Sequence, residues 1–182
     1  MKDGLRIALF TIVEGATLVI WLVLARGAAN IGSMLAALAV LVVGFTIEHI
    51  VAYNVIHNRG LFELQGVPIG QKSIVSLIES FIWALWLVLT GLNVILATIV
   101  LTGLLVVEHT LSDNVFKGRG LFSKLLDGRT SGFSLIEAVG AGIWLAFVEA
   151  NVAVLGIVIL VVASFVEHTL AVALGRKQTV MA

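Results

Sequence analysis

Cysteine is absent from this 182-residue chain, and charged residues are scarce, at 12%. Without cysteine the chain has no disulfide bonds, no thiolate metal ligands and no cysteine nucleophile. Soluble domains are roughly a quarter charged, so the scarcity of charge argues against a soluble fold. The formal net charge is zero, and there is no basic stripe that would suit binding to nucleic acid.

Long apolar segments take the place of the missing charge. Hydrophobic residues make up 60% of the sequence, and the mean hydropathy is +1.13. Six stretches have about the 20-residue length that a helix needs to cross a lipid bilayer. The first stretch is too long for a signal-peptide core, so it is also predicted to span. We predict an all-α integral membrane protein with spans at 7–26, 31–54, 73–91, 93–115, 131–149 and 151–174.

The basic residues indicate how these helices are oriented. If the helices alternate in direction, Arg26 is alone on one side of the membrane and the other ten basic residues share the opposite side. Basic residues accumulate on the cytoplasmic side, so we predict a multi-pass protein of the cell membrane with both termini in the cytoplasm. The ten residues are Lys2, Arg6, Arg59, Lys72, Lys117, Arg119, Lys124, Arg129, Arg176 and Lys177.

An internal repeat sets the domain organisation. A Glu-His pair recurs about every 60 residues, at 48–49, 108–109 and 167–168, a period typical of repeated structural units. Each unit is predicted to be a hairpin of two spanning helices, so all three units point the same way. We predict a single membrane domain, 1–182, with pseudo-threefold symmetry. Its repeat units are approximately 6–62, 73–122 and 131–176.

The two connections on the predicted cytoplasmic side also resemble each other. Residues 54–62 read NVIHNRGLF and residues 114–122 read NVFKGRGLF. We predict short amphipathic segments at the membrane interface in both places. The third unit ends in Gly175, Arg176 and Lys177 and lacks this segment.

Ionisable side chains inside the predicted spans mark the candidate site, because charge at membrane depth is costly and usually functional. Each odd-numbered helix carries one glutamate about 10 Å from its cytoplasmic start, at 1.5 Å per residue. The Glu-His pair of each even-numbered helix lies at a similar depth. Tryptophans at positions 21, 86 and 144 follow about two turns deeper. We predict one layer of nine side chains: Glu14, Glu48, His49, Glu79, Glu108, His109, Glu137, Glu167 and His168.

This layer requires compensating charge. Six buried carboxylates are unfavourable unless they are protonated or paired with cations, and no lysine or arginine is expected at their depth. Carboxylate and imidazole ligands suit iron, zinc or manganese, and two carboxylates per imidazole is the ratio in di-iron and di-manganese bundles. We therefore predict two or three divalent metal ions. The glutamate before each histidine is expected either to bind metal or to orient the imidazole.

Haem is not expected, because three level histidines do not match the facing pair of bis-histidine ligation. Three functional classes remain. A carboxylate-bridged metalloenzyme would perform redox or hydrolytic chemistry on a small or lipid-soluble substrate. A metal-ion or proton transporter would use the layer transiently, although the other halves of the helices offer few polar groups for an exit. A structural or accessory subunit of a membrane complex is the third class; without metal, the layer would be hydrogen-bonded helix packing.

Overall fold

The computed structural model describes residues 3–179 of the chain and the side chains of residues 4–174. Over that range the regular structure is entirely α-helical, which confirms the predicted class. The six helices match the six predicted spans to within a few residues at each end. They are α1 (Asp3–Arg26), α2 (Ile31–Ile56), α3 (Ile69–Thr90), α4 (Val94–Phe116), α5 (Ser131–Glu149) and α6 (Ala153–Thr179).

All six helices are long and apolar enough to cross a membrane, which indicates a multi-pass membrane protein. Their outward faces are apolar as well: Val88, Ile95 and Val154 are 69%, 74% and 79% exposed. A helix that is apolar all round faces hydrocarbon on one side and a protein interior on the other. The outer surface of the bundle is therefore suited to contact with lipid.

Three short turns lie at one end of the bundle, called here the turn end. They join α1 to α2, α3 to α4 and α5 to α6. Asparagine ends two of these turns by capping the next helix: the Asn30 side chain accepts from the amide of Ser33 at 3.0 Å, and that of Asn93 from the amide of Leu96 at 2.9 Å. Such caps satisfy amides that have no partner within the helix.

The opposite end of the bundle, called here the connection end, holds the α2–α3 and α4–α5 connections. Both were predicted to contain amphipathic segments, and both are turns. At the end of α2, the amide of Arg59 donates to the carbonyl of Asn54 at 2.8 Å, and Asn58 adopts a positive φ of 54°. Such a bond across a left-handed residue ends a helix. The amide of the Asn54 side chain also donates to the carbonyl of Leu61 at 3.0 Å.

The end of α4 repeats this arrangement, so the shared sequence motif is a signal that ends a helix. Gly118 takes the left-handed position, with a φ of 63°, which glycine adopts without strain. The residues equivalent to Asn54, Arg59 and Leu61 are Asn114, Arg119 and Leu121. Both predicted segments are turns whose polar residues serve these helix ends, and their position at the membrane interface stays a prediction. Lys2 and the side chains of Gly175, Arg176 and Lys177 lie outside the described residues.

The helices pack in a closed ring. Each helix contacts its neighbour in the chain, and α1 contacts α6. Small residues permit close approach within the last hairpin: a Cβ atom added to Gly140 would lie 2.4 Å from the Cβ of Ala163. Close packing of this kind is typical of helices in membranes.

The interior of the bundle is apolar toward the turn end. One continuous cluster fills this part of the interior. Four tryptophans form its bulkiest part, and Trp83 and Trp86 meet edge to face with ring centroids 5.4 Å apart. The predicted deeper tryptophans Trp21, Trp86 and Trp144 all belong to this cluster. The described part of the bundle is therefore sealed at its turn end.

Candidate metal centre

All nine residues of the predicted layer face one interior cavity of about 90 Å³. Eight of them are buried, and the side chain of His109 is 15% exposed. The helices bring them together as the depth argument predicted, with one glutamate from each odd-numbered helix and one Glu-His pair from each even-numbered helix.

His49 lies among three carboxylates. Its Nδ1 is 3.4 Å from Oε2 of Glu48 and 3.8 Å from Oε2 of Glu79, and its Nε2 is 3.3 Å from Oε1 of Glu108. One ligand atom from each of His49, Glu79 and Glu108 lies within 4.8 Å of the other two. These three buried residues could hold a single metal ion.

His109 also meets three carboxylates, all through Nε2. The distances are 3.5 Å to Oε2 of Glu108, 3.3 Å to Oε2 of Glu137 and 3.7 Å to Oε1 of Glu167. Glu108 therefore contacts two histidines at once, His49 through one oxygen and His109 through the other.

His168 closes the set. Its Nε2 lies 3.3 Å from Oε2 of Glu14, 3.8 Å from Oε1 of Glu48 and 3.1 Å from Oε2 of Glu167. Glu48 and Glu167 thus each contact two histidines, as Glu108 does. The nine side chains form a closed ring of contacts, called here the Glu-His ring.

The contacts within this ring cross the boundaries of the predicted repeat units. Each odd-helix glutamate contacts the histidine of a different hairpin: Glu14 of α1, for example, contacts His168 of α6. The sequence placed these groups at one depth, but depth alone does not select partners. Packing of α2 on α3, α4 on α5 and α6 on α1 sets these pairs.

Three hydroxyl groups that were not predicted from the sequence orient the imidazoles. Nδ1 of His109 lies 2.7 Å from Oγ of Ser134, and that Oγ donates to the carbonyl of Thr130 at 2.9 Å. Because the hydroxyl proton goes to the carbonyl, the oxygen accepts from Nδ1–H. Nε2 then carries a lone pair toward the carboxylates, which is the tautomer that binds metal.

The same contact occurs at the other two histidines. Nδ1 of His168 lies 2.8 Å from the Thr11 hydroxyl, and Nδ1 of His49 lies 3.1 Å from the Ser76 hydroxyl. Nδ1 of His49 is also 2.8 Å from the carbonyl of Phe45, which can only accept. A sequence signal for these hydroxyls exists: a Ser or Thr stands three residues before each odd-helix glutamate, on the same helix face.

Replacing Ser134 with alanine should lower metal affinity about 10- to 100-fold, the usual effect of losing the partner of a ligating histidine. The His109 ring would lose the acceptor that fixes its orientation. Competition against a coloured chelator measures the change. Ser134→Thr should restore the affinity, and Ser131→Ala, at the exposed start of the same helix, is the matched control. If the two alanine variants bind metal with equal affinity, Ser134 does not orient His109.

Three carboxylate oxygens in this ring have no conventional hydrogen bond. Oε2 of Glu14, Glu79 and Glu137 is buried without a hydrogen-bond partner among the described residues, yet each lies 3.3 to 3.8 Å from a ring nitrogen. Two ligands bound to one ion at about 2.0–2.2 Å are themselves roughly 3–3.5 Å apart. The 3.3 Å distances from Nε2 of a histidine to Glu14 and to Glu137 match ligand atoms that share a cation, whereas the 3.8 Å distance of Glu79 from Nδ1 of His49 is longer.

Lys72 has surroundings that the sequence did not predict. It lies near the start of α3, at the connection end like the other predicted cytoplasmic basic residues, but it is fully buried. Its Nζ lies 3.3 Å from the centroid of the Phe116 ring and 5.6 Å from that of Tyr53, so aromatic faces stabilise the ammonium group. Lys72 precedes Glu79 by two helical turns, roughly 10 Å.

The cavity continues from the Glu-His ring toward the connection end. Four charged residues line it there: Asp113, Lys117, Asp127 and Arg129. Burial raises the pKa of Asp127, but hydrogen bonds from Lys124 and from the amide and guanidinium of Arg129 outweigh it and hold the pKa well below its ordinary value. Asp127 therefore stays ionised at neutral pH.

Comparison with known proteins finds no relative of this chain. No protein-family model matches the chain, and no curated protein or solved structure is significantly similar to it.

Proposed function

We propose that this protein is a metalloprotein of the cell membrane whose Glu-His ring binds two or three divalent ions, with iron or zinc favoured and manganese also compatible. The observation that carries the proposal is the ring itself, in which buried carboxylate oxygens lie 3.1 to 3.8 Å from imidazole nitrogens. The group His49, Glu79 and Glu108 supports it most directly, since these three could hold an ion.

Charge balance supports the same interpretation. Six carboxylates buried without cations would be strongly destabilising. Lys72 is the only buried lysine or arginine among the side chains that the structure describes, and one cation two turns away cannot balance six anions. About three divalent ions would, at the ratio of two carboxylates to one imidazole per ion.

The contacts also suggest a role for each glutamate. Glu48, Glu108 and Glu167 each contact two histidines, which suits carboxylates that bridge neighbouring ions. The odd-helix glutamates each contact one histidine and would be terminal ligands, namely Glu14, Glu79 and Glu137. This repetition supports the pseudo-threefold arrangement that the sequence repeat predicts.

A site that keeps its metal ions bound fits the fold better than a pathway that conducts ions or protons across the membrane. The apolar cluster at the turn end includes Leu41, Trp83 and Leu101, each fully buried, and an ion or proton would need polar groups to continue past it. We infer that the ring supports redox or hydrolytic chemistry on a small substrate. The basic residues at the connection end favour a cytoplasmic position for that end.

Elemental analysis of the detergent-purified protein, together with its visible spectrum, tests the proposal. We expect about two or three equivalents of iron, zinc or manganese, and the element separates redox from hydrolytic chemistry. The double variant Glu79→Gln/His109→Ala should lose most of the metal and remain folded. A folded, metal-free and colourless wild-type protein would refute the proposal and favour proton transfer or a partner complex.

A further inference from the structure

The mouth of the cavity has a different chemistry from the rest of its wall. The mouth is defined by Asp113, Lys117, Asp127 and Arg129, at the end of α4 and in the α4–α5 connection. Beyond the Glu-His ring, the rest of the described lining is almost entirely apolar, with Phe10, Phe116, Phe133, Val172 and Leu174 as examples. A charged species can therefore reach the ring with least desolvation past the mouth.

The charges around the mouth do not cancel. Asp113 pairs with Lys117 at 2.5 Å and with Arg119 at 3.0 Å. Asp127 pairs with Lys124 at 2.9 Å and with Arg129 at 3.2 Å. Four basic groups thus surround two carboxylates, an excess of two positive charges.

Three of the four basic groups are more exposed than the carboxylate they pair with. The side chain of Arg129 is 60% exposed and that of Lys124 is 42% exposed, whereas that of Asp127 is only 7% exposed. Arg119 is also more exposed than Asp113, while Lys117 is about as buried as Asp113. At Asp127 and at Arg119, solvent therefore meets the positive partner first. A cleft with one sign of charge at its opening concentrates counterions of the opposite sign.

The other connection offers no such opening. Arg59 pairs with Glu63 at 2.7 Å, and neither residue lines the cavity. The apolar cluster closes the turn end. Among the described residues that line the cavity, the four residues of the mouth are the only charged ones outside the Glu-His ring.

We propose that the substrate of the metal site is a small water-soluble anion, a carboxylate or oxyanion, that enters through this mouth. The inference rests on the proposed function, because the anion would bind the metal proposed there. It narrows the substrate from any small molecule to a small anion. An oxygen-bearing anion is itself a ligand for a hard or borderline metal ion. A cavity of about 90 Å³ suits a small anion better than a long lipid-like molecule.

The absence of native cysteine permits a test that needs no metal. Ser112 is buried and lines the cavity, whereas Ser80 is buried in α3 and does not. We expect Ser112→Cys to react with water-soluble thiosulfonate reagents, the anionic reagent roughly tenfold faster than the cationic one. Ser80→Cys should react with neither. Ala171→Cys, on the α6 side of the cavity, is a second probe if the first variant folds poorly.

Charge variants then identify the basic residues that cause the preference for the anionic reagent. In the Ser112→Cys background, Lys117→Gln/Arg129→Gln should remove the preference for the anionic reagent, and Arg59→Gln should leave it unchanged. If neither Ser112→Cys nor Ala171→Cys reacts, water-soluble reagents do not enter the cavity and the proposed entrance is wrong. If the cationic reagent reacts as fast as the anionic one, or faster, the proposal that the substrate is an anion is wrong. Labelling reports the entrance, and metal content is measured separately on the same sample. A metal-free protein that still prefers the anionic reagent therefore refutes the proposed function and leaves the entrance standing.

Discussion

Replacing His109 with alanine should lower metal affinity by more than about 100-fold, beyond the usual effect of losing only an outer hydrogen-bond partner. Among the described residues, His109 is the one imidazole whose Nε2 contacts three carboxylates within 3.7 Å. Without it, Glu108, Glu137 and Glu167 would face one another with no neutral ligand between them. Elemental analysis after dialysis against a chelator measures the loss.

The fourth histidine supplies the matched control. His57 lies at the end of α2, where it stacks on Tyr53 at 4.1 Å and does not line the cavity. His57→Ala should keep the full metal content. Undiminished metal in the His109 variant, or the same loss in both variants, would contradict the assignment of the Glu-His ring as the site.

Chelation should destabilise the metal-loaded protein strongly. A ligand present at a thousand times its Kd stabilises the folded state by about 4 kcal/mol, and for a chain of this length about 1 kcal/mol moves Tm by 2–4 °C. We therefore expect Tm to fall by roughly 10 °C or more when the ions are removed. Thermal unfolding in detergent, with and without chelator, measures the shift.

A neutralised variant distinguishes this effect from a general effect of the chelator. Glu14→Gln/Glu79→Gln/Glu137→Gln removes the three proposed terminal carboxylates, which are half of the negative charge in the layer. Its Tm should change little on chelation. If the wild-type protein unfolds at the same temperature in both conditions, the layer is held together by hydrogen bonds and protons instead of metal.

The positions of the helices and of the layer could be predicted because both depend on distance along one axis. Hydropathy locates each span, and the helical rise converts position into depth. The nine side chains predicted on this basis all line the cavity. The chemical role assigned to them remains a prediction.

Features that depend on the sideways packing of helices were not predicted. Lys72 was assigned only to one side of the membrane, and its burial was not predicted: residues from two other helices, Tyr53 of α2 and Phe116 of α4, enclose its ammonium group. A count of charges along the chain cannot detect this. For the motif beginning at Asn54, the sequence analysis did not predict that its polar groups satisfy backbone atoms at a helix end.

The hydroxyl groups beside the histidines recur in the sequence but were not predicted to belong to the site. Thr11, Ser76 and Ser134 recur as regularly as the glutamates, but serine and threonine are common in membrane helices and carry no charge that draws attention. Their role became visible once each was seen beside a histidine from another helix.

The ring crosses every boundary between hairpins, and this has a consequence for biogenesis. Glu14, in α1, contacts His168 in α6, which is synthesised later. A nascent chain that stops after α4 would lack both this closure and the link through Glu167. If the ring binds metal, full loading must wait for α6, so bound metal would distinguish chains that contain all six helices from products truncated before α6.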